Sequence, residues 1–227
     1  MKYQNVVEGI FVNRPNRFIA TVNINGSVET VHVKNTGRCK ELLVPGVKVY
    51  LEKCNNASRK TAYDLVTVNK NENQFVNIDS QVPNAVFTEF ISQSDMFNKN
   101  AIIRREVTYK SSRFDIYVED GNRKCFIEVK GVTLEKSGVA LFPDAPTVRG
   151  TKHVYELIDA KNSGFESYIA FVIQMKGATS FTPNTVTDAN FSKALKNAYE
   201  SGVNILAYDC RVTQDSIEID EKVKLIL

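Results

Sequence analysis

Two acidic residues and a lysine lie close together in the segment SSRFDIYVEDGNRKCFIEVKG, residues 111–131. They are Asp115, Glu128 and Lys130. Two carboxylates suit a hard divalent cation such as Mg²⁺ or Mn²⁺, which prefers oxygen ligands. Such a cation activates water and neutralises charge on a phosphate, and a neighbouring ammonium group stabilises the transition state. We therefore predict that these three residues form the catalytic centre of a metal-dependent phosphodiester hydrolase.

The two acidic residues are predicted to meet across a β-hairpin. Asp120-Gly121 is a strong turn signal between two β-rich runs. With those two residues as the loop, Asp115 faces Phe126, and Asp115 and Glu128 are diagonal neighbours about 7–8 Å apart at the backbone. Alternation along the strands then places Asp115, Glu128 and Lys130 on one face of the sheet. This geometry predicts that both carboxylates reach one cation.

A second interpretation of the hairpin needs no cation. In an exposed ladder, Arg113 pairs across the strands with Glu128, and Lys130 is solvated. The apolar residues that flank the two acids favour the metal site instead. Burying carboxylates beside such neighbours is costly unless a cation compensates. The neighbours are Phe114, Ile116, Ile127 and Val129.

A predicted helix follows, and its polar residues suit phosphate binding. Arg149, Lys152, His153 and Glu156 recur at i, i+3, i+4 and i+7, which places them on one helix face. Basic residues in the first turn oppose the helix dipole but make sense if a phosphate docks there. The alternative is a solvated face with a Lys152–Glu156 pair, and His153 suits a packed helix position equally well. Asp144 precedes this helix in a proline-flanked loop and is a further candidate.

Positive charge is concentrated in two segments, although the net charge is only +3. Residues 34–60 contain seven basic and two acidic residues, and residues 99–113 contain five basic residues and one acidic residue, Glu106. Such concentration is expected of a phosphate-binding surface, and it is also compatible with an ordinary solvated surface. The predicted nucleic-acid contacts here are Lys34, Arg38, Lys40, Arg104, Arg105 and Arg113.

Composition argues against a membrane or secreted protein. No apolar run approaches the length of a bilayer span, and the N-terminus lacks a signal-peptide core. The four cysteines are widely spaced and match no zinc or thioredoxin motif. We predict reduced thiols and a cytoplasmic location.

Two domains are predicted to position these residues. Residues 1–80 contain five or six short strands separated by turn signals at Asn25-Gly26, Pro45-Gly46 and residues 55–60, with a brief helical insert at 37–43. This pattern favours an OB-type β-barrel. Residues 81–227 alternate helices with strands, which predicts an α/β domain with a mixed sheet. Its predicted helices are 83–97, 149–162 and 188–201, and its strands are 102–110, 113–119, 124–130, 168–175, 204–212 and 216–227.

Several long stretches match one known family. They are RFIATV, VKNTGRCKELLVPG, SSRFDIYV, CFIEVKGVTL, LFPDAPTVRGTKHVYEL and GVNILAY. On these stretches the chain resembles the sugar fermentation stimulation protein A (SfsA) family along nearly its whole length. The resemblance implies an OB-fold domain followed by a PD-(D/E)XK nuclease-like domain with a central mixed sheet flanked by helices. It also implies DNA binding without strong sequence preference, and a role in regulating sugar (maltose) metabolism.

The nuclease motif of that fold transfers residue by residue. Asp115 takes the motif aspartate, Glu128 the Asp/Glu position and Lys130 the lysine. Glu106 and Glu89 are candidates for the additional acid of some such nucleases, with Glu106 as a third metal ligand. Phe114 stands where the motif has proline, and that proline is dispensable in the superfamily.

The sequence thus predicts a DNA-binding protein that is also a Mg²⁺- or Mn²⁺-dependent nuclease. RNA and single-stranded nucleic acid remain open as substrates. The alternative is a non-catalytic, largely nonspecific DNA-binding regulator of sugar metabolism. An enzyme acting on a small phosphorylated substrate is a third possibility.

Overall fold

The first six strands form a closed barrel. The computed structural model describes residues 1–35, 37–55, 58–71 and 74–227. The sheet order is β3-β2-β1-β4-β5-β6, and β3 also pairs in parallel with β5, which closes the barrel. This arrangement confirms the predicted OB-like barrel. The strands are β1 (Val6–Asn13), β2 (Ile19–Ile24), β3 (Ser27–Val33), β4 (Lys48–Lys53), β5 (Tyr63–Asn71) and β6 (Gln74–Asn77).

The predicted helical insert at 37–43 is wrong for the residues that the structure describes. That segment makes one tight turn, in which the backbone N–H of Leu43 donates to the carbonyl of Cys39 at 2.8 Å. Cys39 has a positive φ of 45°, which lies outside the right-handed helical region, so no α-helix passes through this residue. The predicted turn at 55–60 includes residues 56 and 57, which lie outside the described residues.

The remaining chain is built around a six-stranded mixed sheet. Its order is β15-β14-β12-β9-β8-β7, with β12 parallel to both β9 and β14. In chain order the elements are α1 (Val82–Gln93), β7 (Ile102–Tyr109), β8 (Ser112–Asp120), β9 (Arg123–Val132), β10 (Leu134–Lys136), β11 (Val139–Phe142), α2 (Val148–Asn162), β12 (Glu166–Ile173), β13 (Ser180–Pro183), α3 (Ala189–Glu200), β14 (Asn204–Val212), β15 (Ile217–Lys222) and β16 (Lys224–Leu225).

Helices cover both faces of this sheet. On one face, Ile116 and Ile127 belong to the same core cluster as Val86 and Phe87 of α1. On the other face, Phe126 shares a cluster with apolar residues of α2 and α3. Burial on both sides explains why β12 is buried along all but its first residue. The predicted fold class, an OB barrel followed by a mixed-sheet domain flanked by helices, is confirmed.

The segment between β9 and α2, for which no helix or strand was predicted, contains two short strands. It forms the β10–β11 hairpin, and β11 pairs with β13 in a second sheet of order β10-β11-β13-β16. These strands are two to four residues long, too short for an alternating pattern to be recognised. The prediction for α1 was also too long at its C-terminus, because Ser94 is extended and ends the helix.

The turn of the β8–β9 hairpin lies one residue later than predicted. Asp120 pairs with Arg123, so the loop is Gly121-Asn122 and the register is shifted by two residues. The Asp120 carboxylate accepts hydrogen bonds from Asn98, which holds Asp120 at the strand end. A shift of two residues preserves the predicted alternation of faces along the paired part of the hairpin, from Ile116 to Asp120. The predicted diagonal relation of Asp115 and Glu128 is wrong, since this register, if continued, places them opposite each other.

The barrel and the mixed-sheet domain are joined through a buried polar network. Gln174, directly after β12, donates to Asn77 Oδ1 at 2.8 Å and to the carbonyl of Asp79 at 3.0 Å. Asn77 in turn donates to the hydroxyl of Tyr3 at 2.9 Å. These side chains are almost fully buried, so each hydrogen bond satisfies groups that water cannot reach. The network fixes the position of Gln174 beside β9.

Gly131 permits this close approach. A Cβ atom added at Gly131 would lie 2.5 Å from Gln174 Oε1 and 2.7 Å from Cγ of Pro83, at the start of α1. Neither neighbour can easily move, because Gln174 is held by its hydrogen bonds and Pro83 belongs to a helix. Glycine directly after Lys130 therefore lets α1 and the end of β12 pack against β9.

We expect Gly131→Ala to destabilise the protein by about 1–3 kcal/mol, as overpacking of a filled site does. The restriction that alanine places on the unfolded chain would offset less than about 1 kcal/mol of this loss. Urea unfolding followed by circular dichroism measures the change. A variant as stable as the native protein would show that the junction adapts freely. Val186→Ala, at a fully exposed position, is the control for an ordinary surface change.

Candidate active site

Asp115 lies where β8 separates from β9. The two strands pair as far as Ile116 and Ile127, and Asp115 is the next residue of β8 toward the opening. Its Oδ2 accepts a hydrogen bond from the backbone N–H of Val129 at 2.8 Å. Its Oδ1 accepts one from Nδ2 of Asn84 in α1 at 2.7 Å. The carboxylate is therefore held between the diverging strand and the helix.

The strand on the other side of β8 is irregular at the same level. Arg105 pairs with Ile116 and Val107 with Phe114, but Glu106 between them has a positive φ of 55° and no pairing partner among the described residues. Phe114 belongs to the core cluster of Phe126, whereas Ile116 belongs to the cluster on the opposite face of the sheet. In a regular strand these two side chains would share a face, so the alternation of β8 breaks at Asp115. The backbone around Asp115 is thus released from the regular ladder on both sides.

Glu128 is a buried carboxylate with two cationic or hydrogen-bonding partners. The residue is 2% exposed. Its Oε1 accepts hydrogen bonds from Nζ of Lys130 and from Nδ1 of His153, each at 2.5 Å. Its Oε2 is also buried, and it has no hydrogen-bond partner within the described part of the chain. Two protein groups therefore hold one oxygen of Glu128, whereas the other oxygen has no hydrogen-bond partner in the described part of the chain.

Burial and neighbouring charges act differently on the two carboxylates. Burial raises the pKa of Asp115, and the nearby Glu128 charge raises it further, although Val129 and Lys130 partly compensate. Burial also acts to raise the pKa of Glu128, but Lys130 and His153 outweigh burial and hold that pKa below its usual range. The site thus keeps Glu128 ionised, while a second negative charge at Asp115 is unfavourable without a further cation.

Of the two alternatives for His153, the structure shows the packed helix position and not the solvated face. The residue is 5% exposed and lies beside Val154 on the buried side of α2. Nε of Arg149 donates weakly to its Nε2 at 3.5 Å, which leaves the Nδ1 proton for Glu128. Burial is possible here because Glu128 satisfies the imidazole. Arg149 and Lys152 are exposed, and Lys152 lies 3.7 Å from Glu156.

The exposed-ladder interpretation of the hairpin does not describe this geometry. Arg113 forms its ion pair with Glu106 at 3.1 Å, and both side chains are largely exposed. Lys130 is only 16% exposed and is directed to Glu128 instead of to solvent. Glu106 does not join Asp115 and Glu128, because no three His, Cys, Asp or Glu side chains among the described residues are grouped to hold an ion. Its role as a third ligand stays a prediction that this arrangement does not support.

The other predicted contacts are scattered over the surface. Arg104 is 3.6 Å from Glu119, and Arg105 is exposed. Glu89, the other candidate acid, pairs with the N-terminal amine at 2.8 Å. Lys34 is mostly buried and forms ion pairs with Asp79 at 2.9 Å and Asp64 at 3.3 Å, which makes it a structural cation of the barrel.

Arg38, Lys40 and Asp144 lie near the domain junction. Arg38 and Lys40 are exposed on the barrel loop between β3 and β4. Asp144 is also exposed, and the same loop approaches it so closely that a Cβ added at Gly37 would lie 2.4 Å from Asp144 Oδ2. Asp144 and Gly131 both line a cavity of about 90 Å³ at this junction. Asp144 therefore lies against the barrel, and in the described part of the chain it forms no hydrogen bond with Asp115 or Glu128.

Comparison with known proteins assigns the family. The model of the sugar fermentation stimulation protein RE domain matches residues 81–216, and that of the SfsA N-terminal OB domain matches residues 12–78. The chain belongs to the SfsA family. It is 52% identical over 227 residues to the sugar fermentation stimulation protein homolog of Ruminiclostridium cellulolyticum, covering all of both chains. It is 55% identical to that of Desulfitobacterium hafniense strain Y51, covering 100% of this chain and 99% of the relative.

A solved structure of the family has the same fold. The structure of Pyrococcus furiosus SfsA in complex with Ca²⁺ matches with a TM-score of 0.86 at 27% identity, covering 100% of this chain and 98% of the other. At that identity, a match over the full length shows that both SfsA domains are present in the same arrangement. No helix among the described residues is long and apolar enough to cross a membrane.

Sequence reasoning missed two groups that hold the SfsA site together. Asn84 follows Pro83 at the start of α1, and an amide there gave no sign that it would reach Asp115. The backbone N–H of Val129 is free to bind Asp115 only because the strands separate. Both depend on tertiary packing, so periodicity alone could not reveal them.

We expect Lys130→Met to leave Glu128 buried with His153 as its only partner and to raise the pKa of Glu128. Breaking a buried ion pair costs about 3–5 kcal/mol, and His153 should keep the loss near the lower limit. Because the folded pKa of Glu128 is lowered in the native protein, its stabilisation is present above about pH 4.3 and is lost as the pH falls through the folded value. The stability gap between variant and native protein should therefore narrow at acid pH.

This pH dependence can be measured by urea unfolding of the metal-free protein in EDTA between about pH 7 and pH 3. Lys124→Met is the matched control, since Lys124 is exposed on the same strand. An equal loss at every pH would contradict the assignment of Lys130 as the partner of Glu128.

Proposed function

We propose that this protein binds nucleic acid and hydrolyses its phosphodiester bonds with the aid of Mg²⁺ or Mn²⁺ held by Asp115 and Glu128. The observation that carries the proposal is the free Oε2 of Glu128. It is buried and has no partner among the described residues, although its carboxylate is kept ionised by Lys130 and His153. A buried carboxylate oxygen without a partner is costly, and a cation would satisfy it.

The electrostatics of Asp115 also support a cation. Its pKa is raised by burial and by the Glu128 charge, so its ionised form lacks compensation. A divalent ion between the two carboxylates would reverse both effects. The Pyrococcus furiosus relative was solved in complex with Ca²⁺, a hard cation that also takes oxygen ligands. A bound hard cation in this relative supports a cation site in this chain, and we propose that Asp115 and Glu128 form it.

The residues around the two carboxylates have distinct roles in the proposed reaction. When bound, the metal ion would supply activation of water and neutralisation of phosphate charge. Asn84 and the N–H of Val129 orient Asp115, and His153 holds Oε1 of Glu128. Lys130 is then free to turn its ammonium group from Glu128 toward a phosphate oxygen, where it stabilises the developing negative charge.

Exposed basic residues supply phosphate contacts in this proposal. Arg149 and Lys152 begin α2 close to His153, and Arg104, Arg105 and Arg113 lie on β7 and β8. Contacts of this kind position a nucleic acid without reading its sequence, and they make binding fall steeply with salt. DNA is the proposed partner, with RNA and single strands as further substrates. The four free cysteines fit a reducing cytoplasm.

The second candidate function is nucleic-acid binding without cleavage, in a regulator of sugar (maltose) metabolism. One observation favours it: Lys130 and His153 already neutralise Glu128, so the site is stable with no metal ion. The relatives carry the name sugar fermentation stimulation protein homolog. This candidate gives no reason for the free Oε2 of Glu128, and we therefore rank it second.

We expect Asp115→Ala to abolish metal-stimulated cleavage, a loss of at least about 100-fold, because one of two ligands and its charge are removed. Nucleic-acid binding should persist within about twofold. Cleavage activity is measured on labelled single- and double-stranded DNA and RNA with Mg²⁺ or Mn²⁺, and nucleic-acid affinity is measured by filter binding. Asp95→Ala, at an exposed position of the loop after α1, is the matched control and should cleave normally. Native protein that cleaves none of these substrates would leave only the second candidate.

Metal binding can be tested without any substrate. Calorimetric titration of Mn²⁺ into the native protein should show one site, and Asp115→Ala and Glu128→Gln should each weaken it by at least tenfold. Binding should also be accompanied by proton release near the raised pKa of Asp115, since the ligand must be ionised. Equal affinity in native protein and both variants would place the ion elsewhere and refute this site.

A further inference from the structure

The barrel carries a second pocket that the proposed active site does not use. It has a volume of about 490 Å³ and lies between the β1–β2 loop and the β3–β4 loop. Phe11 and Leu43, which line its interior, are buried. Arg17, Arg38 and Lys40 line it as well and are exposed, which places their charges at its mouth. The pocket thus has an apolar interior and a cationic entrance.

Arg14 fastens the two loops that form this pocket. Its guanidinium donates to the carbonyls of Gly37 at 2.8 Å and Arg38 at 2.7 Å, and also to those of Arg17 at 2.7 Å and Asn35 at 2.6 Å. All four acceptors are neutral, so the charge of Arg14 remains. The hydrogen bonds hold the pocket walls in place before any ligand arrives.

The cations of this pocket differ from other cations of the barrel. Lys34 forms ion pairs with Asp64 and Asp79, and Arg59 also pairs with Asp64. Within the described ranges of the chain, no carboxylate forms an ion pair with Arg14, Arg17, Arg38 or Lys40. Nor does any acidic residue line the pocket. Four unneutralised cations around one cavity create a potential that attracts an anion.

We propose that this pocket binds one unpaired nucleotide of a nucleic-acid strand. Its phosphate lies against Arg17, Arg38 and Lys40, and its base enters the apolar interior formed by Phe11 and Leu43. The volume falls within the range of small-molecule sites, in which apolar walls hold a ring and a few polar groups fix its orientation. Arginine and lysine at the entrance supply the usual phosphate donors.

The shape of the pocket favours an unpaired base over a base pair. A base inside a duplex reaches such a cavity only by leaving its stack, which has an unfavourable free energy. An unpaired base avoids that penalty and gains contact with apolar and aromatic groups. Phe18 lies next to this entrance, half exposed, with Arg17 packed over its ring at 4.9 Å, and it offers a stacking surface to the neighbouring base. The barrel therefore selects single strands.

This inference rests on the proposed function only in taking nucleic acid as the source of the nucleotide. A free mononucleotide presents the same phosphate and base. The experiment therefore measures fluorescence anisotropy in EDTA with four probes: a labelled ten-nucleotide thymidine strand, an abasic strand of the same charge, a ten-base-pair duplex, and AMP as an unlabelled competitor. The pocket variants and their reference protein all carry Asp115→Ala as well, so that no probe is cleaved.

We expect the thymidine strand to bind at least tenfold more tightly than the abasic strand or the duplex. Arg38→Ala combined with Lys40→Ala should weaken strand binding at least tenfold and remove the preference for bases. AMP should displace the strand only at concentrations far above the strand's dissociation constant. Lys196→Ala, which removes an exposed lysine from α3, is the matched control and should bind as before. Thermal melting by circular dichroism verifies that the double variant folds.

Equal binding of the abasic and thymidine strands would overturn the proposal, because the pocket would then be only a basic patch. Strand affinity unchanged in the Arg38→Ala, Lys40→Ala variant would overturn it too, even if AMP binds. The test of the proposed nuclease function is independent of the test of the pocket. If the native protein binds thymidine strands through the pocket but does not cleave, only the nuclease proposal is refuted. If the native protein cleaves but the Arg38→Ala, Lys40→Ala variant keeps its strand affinity, only the pocket proposal is refuted.

Discussion

The site depends on a negative charge held inside the protein at Glu128. A buried carboxylate would normally be neutral, and here Lys130 and His153 outweigh the effect of burial and lower its pKa. Both partners bind the same oxygen, Oε1, and Oε2 is left without a partner among the described residues. Every functional consequence proposed for this site starts from that asymmetry, because a cation needs an ionised oxygen that no protein group has taken.

The surrounding fold maintains this arrangement from three directions. The strands β8 and β9 separate at Ile116 and Ile127, which opens the space that Asp115 enters. On one side α1 contributes Asn84 to Asp115, and on the other side α2 contributes His153 to Glu128. Helices on both faces of the sheet are therefore required, and the glycine after Lys130 lets α1 approach closely enough. The barrel adds a separate basic pocket, so we propose that strand binding and phosphodiester hydrolysis belong to different domains.

Part of this account could be predicted from the sequence, for identifiable reasons. Turn signals separated the barrel strands correctly, and the alternation predicted for the hairpin holds where β8 and β9 pair, because a shift of two residues preserves it. It breaks at Asp115, since Phe114 and Ile116 belong to core clusters on opposite faces. For His153 the sequence left two positions open, solvated or packed, since a helix with several polar residues does not reveal which one its sheet will bury. The second sheet was missed because its strands are too short to show a period. Glu106 was a candidate ligand through the family resemblance, and in the structure it pairs with Arg113 and is largely exposed.

The central claim is that Asp115 and the free oxygen of Glu128 share one divalent cation. Crystals of the native protein soaked in Mn²⁺ test it directly through anomalous scattering. The account predicts a single strong anomalous peak within about 2.0–2.4 Å of an Asp115 carboxylate oxygen and of Glu128 Oε2, with His153 still bound to Oε1. No peak between these two carboxylates, or a peak elsewhere with Glu128 unchanged, would contradict it.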